Sequence, residues 1–201
     1  MVEVDVWNMA TSLVRARPVQ VTTEDTPQAQ ACRAHSDVCA RMILSVVPWT
    51  FATRWEKLHH HLTDVAPEGL FALSLPAGAI KVWGARTAGH PFLSEMNDPT
   101  VEFEVNRGTS GTRTVFTNVE DAEFEITKMM PLGVWPASLQ EAFSYLLASK
   151  IAIPLAGVEQ GRFLRREYSD EYLRALDRAQ TEDAGPNRLS RRESKYITGR
   201  R

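Results

Sequence analysis

The sequence predicts an α+β protein: a helical bundle of about four to five helices, interrupted by a small antiparallel β-sheet and followed by a basic C-terminal tail. Three observations carry this. Apolar residues recur at helical spacing before residue 66 and again after residue 131. Between 67 and 130 the period changes to two. From 186 onward apolar content falls away, and the stretch "PNRLSRRESKYITGRR" holds six Lys or Arg and one Glu. The chain therefore divides into a discontinuous bundle (1–66 and 131–184), an inserted sheet region (67–130) and a flexible basic arm (185–201).

The helices follow in order. "DVWNMATSLVR" fits a first helix over 5–15, with Val6, Met9 and Leu13 inward and Trp7 a candidate to join them. Thr26 caps the next, and Pro27 occupies its first position, where the missing N–H costs nothing. Ala31, Cys32, His35, Val38, Cys39, Met42 and Val46 then form one apolar stripe, with His35 read as a core or interface histidine. Pro48 biases Val47 away from helical angles. Thr50 is read as the cap of a further helix, "FATRWEKLHHHL", with Phe51, Trp55, Leu58 and Leu62 inward. Pro48, Trp49, Phe51 and Trp55 thus form a structural elbow between two antiparallel helices, with Trp49 filling the notch.

The sheet region alternates in "LFALSL", "AIKVWG", "TVEFEVN" and "AEFEITK", and a short strand is placed at 113–117 after a Gly-rich turn. Four or five strands with one buried face are expected. If 101–106 and 122–127 are neighbours, Glu102, Glu104, Glu123 and Glu125 share one exposed face. Facing like charges destabilise a sheet, so such a face needs solvation or a use, such as repelling polyanions or meeting a basic partner. Beyond it, "LQEAFSYLLASKIAI" runs to Pro154, with Ala142, Ser149 and Ala152 small enough for another helix to approach. A last helix covers roughly 158–182, with Arg166 and Asp170 placed for an i,i+4 ion pair.

The 43% hydrophobic and 24% charged composition is that of an ordinary globular chain. The net charge of −2 hides a split. The arm carries +5, leaving 17 basic and 24 acidic residues, net −7, in 1–185. Cys32 and Cys39 lie seven apart on one helix, about 10 Å, too far for a disulfide, so two free buried thiols in a reducing compartment are expected. The N-terminus has acids where a secretory signal carries Lys or Arg, and no stretch reaches a membrane span, which points to a cytosolic protein without a membrane partner. Adjacent residues of a helical "HHH" at 59–61 point about 100° apart and do not converge on one ion. With no phosphate-cradling Gly loop and no nucleophile elbow, neither a cofactor, a metal nor an enzymatic activity is expected. The arm's Arg188, Arg191, Arg192, Lys195, Arg200 and Arg201, with Leu189, Tyr196 and Ile197 among them, suit a nucleic acid or a protein groove. A nucleic-acid-binding regulatory protein using this arm is one reading of the whole.

A second reading comes from resemblance. "VDVWNMATSLV", "SDVCARMILSVVPWTFATRWEKL", "ALSLPAGAIKVWGAR", "VFTNVEDAEFEITKMM", "FSYLLASKIAIPLAG" and "YLRALDRAQTEDAG" resemble the tail tubular protein A family, the head-to-tail adaptors (connectors) of short-tailed bacteriophages. The likeness covers roughly residues 3–185. Ser36 stands where that family usually has an aromatic, and the arm past 186 matches nothing in it. The resemblance implies a virion structural protein, made in the host cytoplasm, that assembles as a ring of typically twelve copies. Its partners would be the portal protein, the tail nozzle of the tail tubular protein B type, and double-stranded DNA passing through an axial channel without sequence-specific binding. On that reading Glu102, Glu104, Glu123 and Glu125 are candidates for the channel or its rim. Arg188, Arg191, Arg192, Lys195, Tyr196, Arg200 and Arg201 are candidates for portal docking.

Overall fold

The computed structural model describes residues 3–60, 66–88, 100–107 and 113–184. Along them run α1 (Glu3–Leu13), α2 (Pro27–Leu44), β1 (Thr53–Lys57), β2 (His59–His60), β3 (Phe71–Ser74), β4 (Ala79–Thr87), β5 (Phe103–Arg107), β6 (Arg113–Thr117), β7 (Ala122–Lys128), α3 (Ala137–Ala156) and α4 (Val158–Ala184). The class is α+β, with two small antiparallel sheets in place of the one expected.

The helices pack around α3. Its sequence "ASLQEAFSYLLASKIAIPLA" is apolar on every side, the mark of a helix surrounded by others. Leu139, Phe143, Leu147 and Ile151 are fully buried, and Ala142, Ser149 and Ala152 are buried beside them, so the small residues do sit at helix contacts. Helices α1, α2 and α4 all pack on it. Pro154 does not end α3. It lies in the last turn, and the helix runs on to Ala156 before Gly157 turns the chain with φ 80°. Gly161, at the start of α4, lets that turn close: a Cβ there would stand 2.6 Å from the Ile153 Cα.

Helix α2 begins as expected, with the Thr26 hydroxyl accepting from the Ala29 N–H at 3.3 Å and Pro27 in the first turn. Its buried face is rotated from the expected stripe. Cys32, Ser36, Cys39, Ala40 and Ile43 face inward, whereas Val38, Met42 and Val46 are 53%, 42% and 40% exposed. Small side chains let the helix approach α3 closely, and the Trp7 indole donates to the buried Ser36 hydroxyl at 3.2 Å. Bulk alone therefore misassigns the face.

The elbow is a helix-to-strand corner, not a helical hairpin. Helix α2 stops at Leu44, four residues ahead of Pro48. Trp49 is buried as expected, and its Nε1 donates to the Ile43 carbonyl at 2.9 Å. Phe51 packs against Trp135, with ring centroids 6.0 Å apart. The next residues extend: Thr53–Lys57 pairs with β7 over five register positions, and this long-range ladder overrides the local helical pattern. Thr50 caps no helix, and Trp55 lies on a strand.

One sheet has the order β1-β7-β4 and the other β2-β3-β6-β5. They share a second core of Leu58, Leu73, Val115, Phe124 and Ile126, across which Phe103 meets Phe124 edge-to-face at 5.8 Å. The first sheet adjoins the helices where Phe51, Ile80 and Met129 reach the helical core.

Candidate functional site

The four candidate glutamates do not share a face. Glu102 and Glu104 lie beside and on β5, at the edge of the second sheet, and both are exposed. Glu123 and Glu125 lie on β7, the middle strand of the first sheet, and are half-buried. Each sequence run is strand-like as expected; what differs is the pairing order, which puts β6 beside β5 and β1 and β4 beside β7.

The outward face of β7 is a packed ladder of aromatic and charged groups. In register, Glu123 stands between Lys57 and Arg86, and Glu125 between Trp55 and Gly84. Arg86 donates to the Glu123 carboxylate through Nε at 2.7 Å and Nη2 at 2.6 Å, while its guanidinium lies 4.3 Å from the centre of the Trp55 ring. The Lys81 ammonium sits 3.7 Å from the centre of the Trp83 ring and donates to the Ser45 carbonyl at 3.1 Å, tying β4 to the end of α2. The Trp83 Nε1 donates to the Thr127 hydroxyl at 2.7 Å, which also pairs with Thr53 at 2.6 Å. Glu123 is thus neutralised within the sheet. Arg86, Lys81 and Trp83 were not singled out from the sequence; reading "TRWEK" as alternating would have placed Trp55 on one face with Lys57.

Glu102 and Glu104 present a different picture. The Glu102 N–H donates to the Asn118 side-chain oxygen at 2.9 Å, and the Asn106 amide reaches Glu104 at 3.3 Å. Among the described residues neither carboxylate has a cation partner. At the other rim of these sheets, Lys57 lies 2.5 Å from Asp121 and holds that carboxyl below the usual carboxylate range through a hydrogen bond and its charge. His60 meets Glu120 at 3.0 Å and the Phe71 ring edge-on. His59 and His60 form a short strand instead of a helix end; His61 lies outside the described residues.

Among the described residues no group of three or more His, Cys, Asp or Glu is placed to hold a metal. Among the described residues, one open depression lies between α1, α3 and the end of α4 beside Tyr145 and Glu141, and another beside Trp7, Arg33 and Met130. In the second, Arg33 is engaged with the carbonyls of Thr22 and Glu24 at 2.6 and 3.0 Å. Cys32 and Cys39 are free and buried. On α4, Arg166 and Asp170 form no ion pair; Glu171 and Arg174 do, at 2.7 Å. The arm residues Arg188, Arg191, Arg192, Lys195, Tyr196, Arg200 and Arg201 lie outside the described residues.

No family model matches the chain, and no curated protein matches it. No helix of the described residues is long and apolar enough to cross a membrane.

Proposed function

We propose that this chain is a structural head-to-tail adaptor of a short-tailed phage, forming a ring between portal and tail nozzle around a channel for the genome. The observation that carries the reading is the combined resemblance of "SDVCARMILSVVPWTFATRWEKL" and "FSYLLASKIAIPLAG" to that family. The fold gives it physical support. Val38 and Met42 on α2 with Val46 just beyond it, and Phe163 and Leu173 on α4, are exposed on two different helices. Exposed apolar side chains on two different helices suit a heterologous contact between copies, of the type that closes into rings. Glu102 and Glu104, with no cation partner among the described residues, suit a surface past which DNA phosphates slide without sticking. The basic arm is the portal-docking segment in this reading.

Sedimentation velocity of the purified chain, alone and mixed with its portal ring, tests the proposal. A 22.6 kDa species that joins the portal in many copies supports it. A portal ring that sediments unchanged overturns it, and DNA binding that weakens steeply with salt would then favour the regulator.

A further inference from the structure

Among the described residues, no strand pairs with the outer edge of β5 in the second sheet. In the β5–β6 pair the Asn118 N–H donates to the Glu102 carbonyl at 3.3 Å, and the register places Glu104 opposite Phe116 and Asn106 opposite Thr114. Antiparallel pairs alternate between bonded and non-bonded positions. Glu102, Glu104 and Asn106 therefore bond inward, and the backbone N–H and C=O of Phe103 and Val105 point away from the sheet. On the other side of β6, the Leu75 N–H donates to the Arg113 carbonyl, the complementary alternation. The Arg107 N–H is taken by the Asn106 side chain at 2.9 Å. Proteins commonly blunt such edges with Lys, Pro or bulges. The edge of β4 carries register shifts, and Arg54 donates to the Thr53 carbonyl at the edge of β1. Strand β5 carries no Lys or Pro and pairs with β6 without a register shift; the exposed side chains on and beside it are Glu102, Glu104, Asn106 and, at its end, Arg107.

We propose that residues 186–201 of the same chain add to this edge as an extended segment, pairing with the outward groups of Phe103 and Val105 and setting their cations against Glu102 and Glu104. The charges are complementary: +5 on the segment against a body of −7. The starting point is suitable, because Asp183 at the end of α4 is bonded to Thr50, three residues before β1, so the chain leaves α4 on the side of the sheets. Seventeen residues beyond Ala184 reach up to about 56 Å when extended, and an attached segment acts at roughly millimolar effective concentration. The β1 edge carries Arg54 and Lys57, the latter paired with Asp121, whereas at β5 the two carboxylates outnumber the single Arg107. This pairing is independent of the adaptor reading; within that reading, capture of the arm by the portal would uncover Glu102 and Glu104.

The full-length chain tests it. Ser194→Cys places a spin label on the segment, while the buried Cys32 and Cys39 stay unlabelled. Amide signals of Phe103 and Val105 should broaden more than those of β1 or the helices. Their hydrogen exchange should be about tenfold slower than in Glu102→Lys/Glu104→Lys, as for an edge covered roughly nine-tenths of the time. Val105→Pro removes an outward N–H that β6 does not use, a substitution that edge strands tolerate, and should release the segment with the fold intact. Equal exchange in wild type and the charge-reversed chain overturns the proposal. So does broadening centred elsewhere, or broadening that appears only between separate molecules when labelled and isotope-enriched chains are mixed.

Discussion

The carboxylate of Asp183, in the last turn of α4, accepts the backbone N–H of Thr50 at 3.1 Å and also its hydroxyl, across 133 positions of sequence. It fastens the end of the last helix to the corner where the chain leaves the helices for the sheets. A charge-assisted hydrogen bond at a solvent-exposed site is worth roughly 1 kcal/mol. Asp183→Ala is expected to lower the unfolding free energy by about that amount in urea titrations. Asp170→Ala, on the same helix but with no ion pair among the described residues, should change it by less than about 0.5 kcal/mol.

Gly161 inverts the usual rule for glycine in helices. Replacing a helical Gly by Ala ordinarily stabilises by about 1 kcal/mol. Here the added Cβ would lie 2.6 Å from the Ile153 Cα and 2.8 Å from the Ala152 carbonyl oxygen, both backbone atoms that cannot swing aside. Gly161→Ala should therefore destabilise by about 1–3 kcal/mol through overpacking, read as a lowered Tm. Gly157→Ala is the informative contrast. Nothing lies within 4 Å of its added Cβ, and its φ of 80° makes any loss a backbone effect, of order 1 kcal/mol.

The parts of the fold legible in the sequence are those where local preference and tertiary need agree. Thr26 and Pro27 start α2, the helical run "LQEAFSYLLASKIAI" marks the central helix, and the alternation around Phe71, Phe103 and Phe124 marks strands. The missed element is "TRWEK". Arg54, Glu56 and Lys57 are good helix formers, and Phe51, Trp55 and Leu58 also fit a helical period. Only its ladder with β7 makes it a strand, and a ladder spanning Thr53 to Thr127 is invisible to a local window. The same limit separates the candidate glutamates: Glu104, Glu123 and Glu125 lie on strands and Glu102 just before one, but nothing local reveals that Glu123 meets Arg86 while Glu104 faces solvent. The rotated face of α2 has another cause, since Cys32, Ser36 and Ala40 win the interior by being small.

The two thiols give the chain a pH dependence. Burial pushes Cys32 up to about 12 and Cys39 up to about 11 from an ordinary 9.0; the neighbouring thiol adds to the first, and Lys150 opposes the second. The unfolded chain thus loses its thiol protons first, and above pH 9 the native state holds more protons than the unfolded one. Unfolding free energy must then fall as pH rises toward the native values, and the contribution is fully present below about pH 8. Tyr172, raised by burial, acts in the same direction from a higher starting point. Urea titrations at about pH 8 and 10 should show the decline, and Cys32→Ala/Cys39→Ala should flatten the slope whatever it does to absolute stability. An identical slope in the variant would assign the decline to other groups.

Trp49 holds the corner by two means that substitution can separate. Its ring is 1% exposed in the helical core, and its Nε1 donates to the Ile43 carbonyl in the last turn of α2, which also accepts the Val46 N–H at 3.2 Å. Trp49→Ala removes both and should cost about 3–5 kcal/mol. Trp49→Phe keeps much of the volume and removes one of the two donors to that carbonyl, so a smaller loss of about 0.5–1.5 kcal/mol is expected. Hydrogen exchange locates the damage. If the corner is where α2 is fastened, amides near Ile43 and Leu44 should lose protection in Trp49→Phe before those at the centre of α3. Uniform loss across both helices would instead make Trp49 a volume filler, with no separate role for its indole N–H.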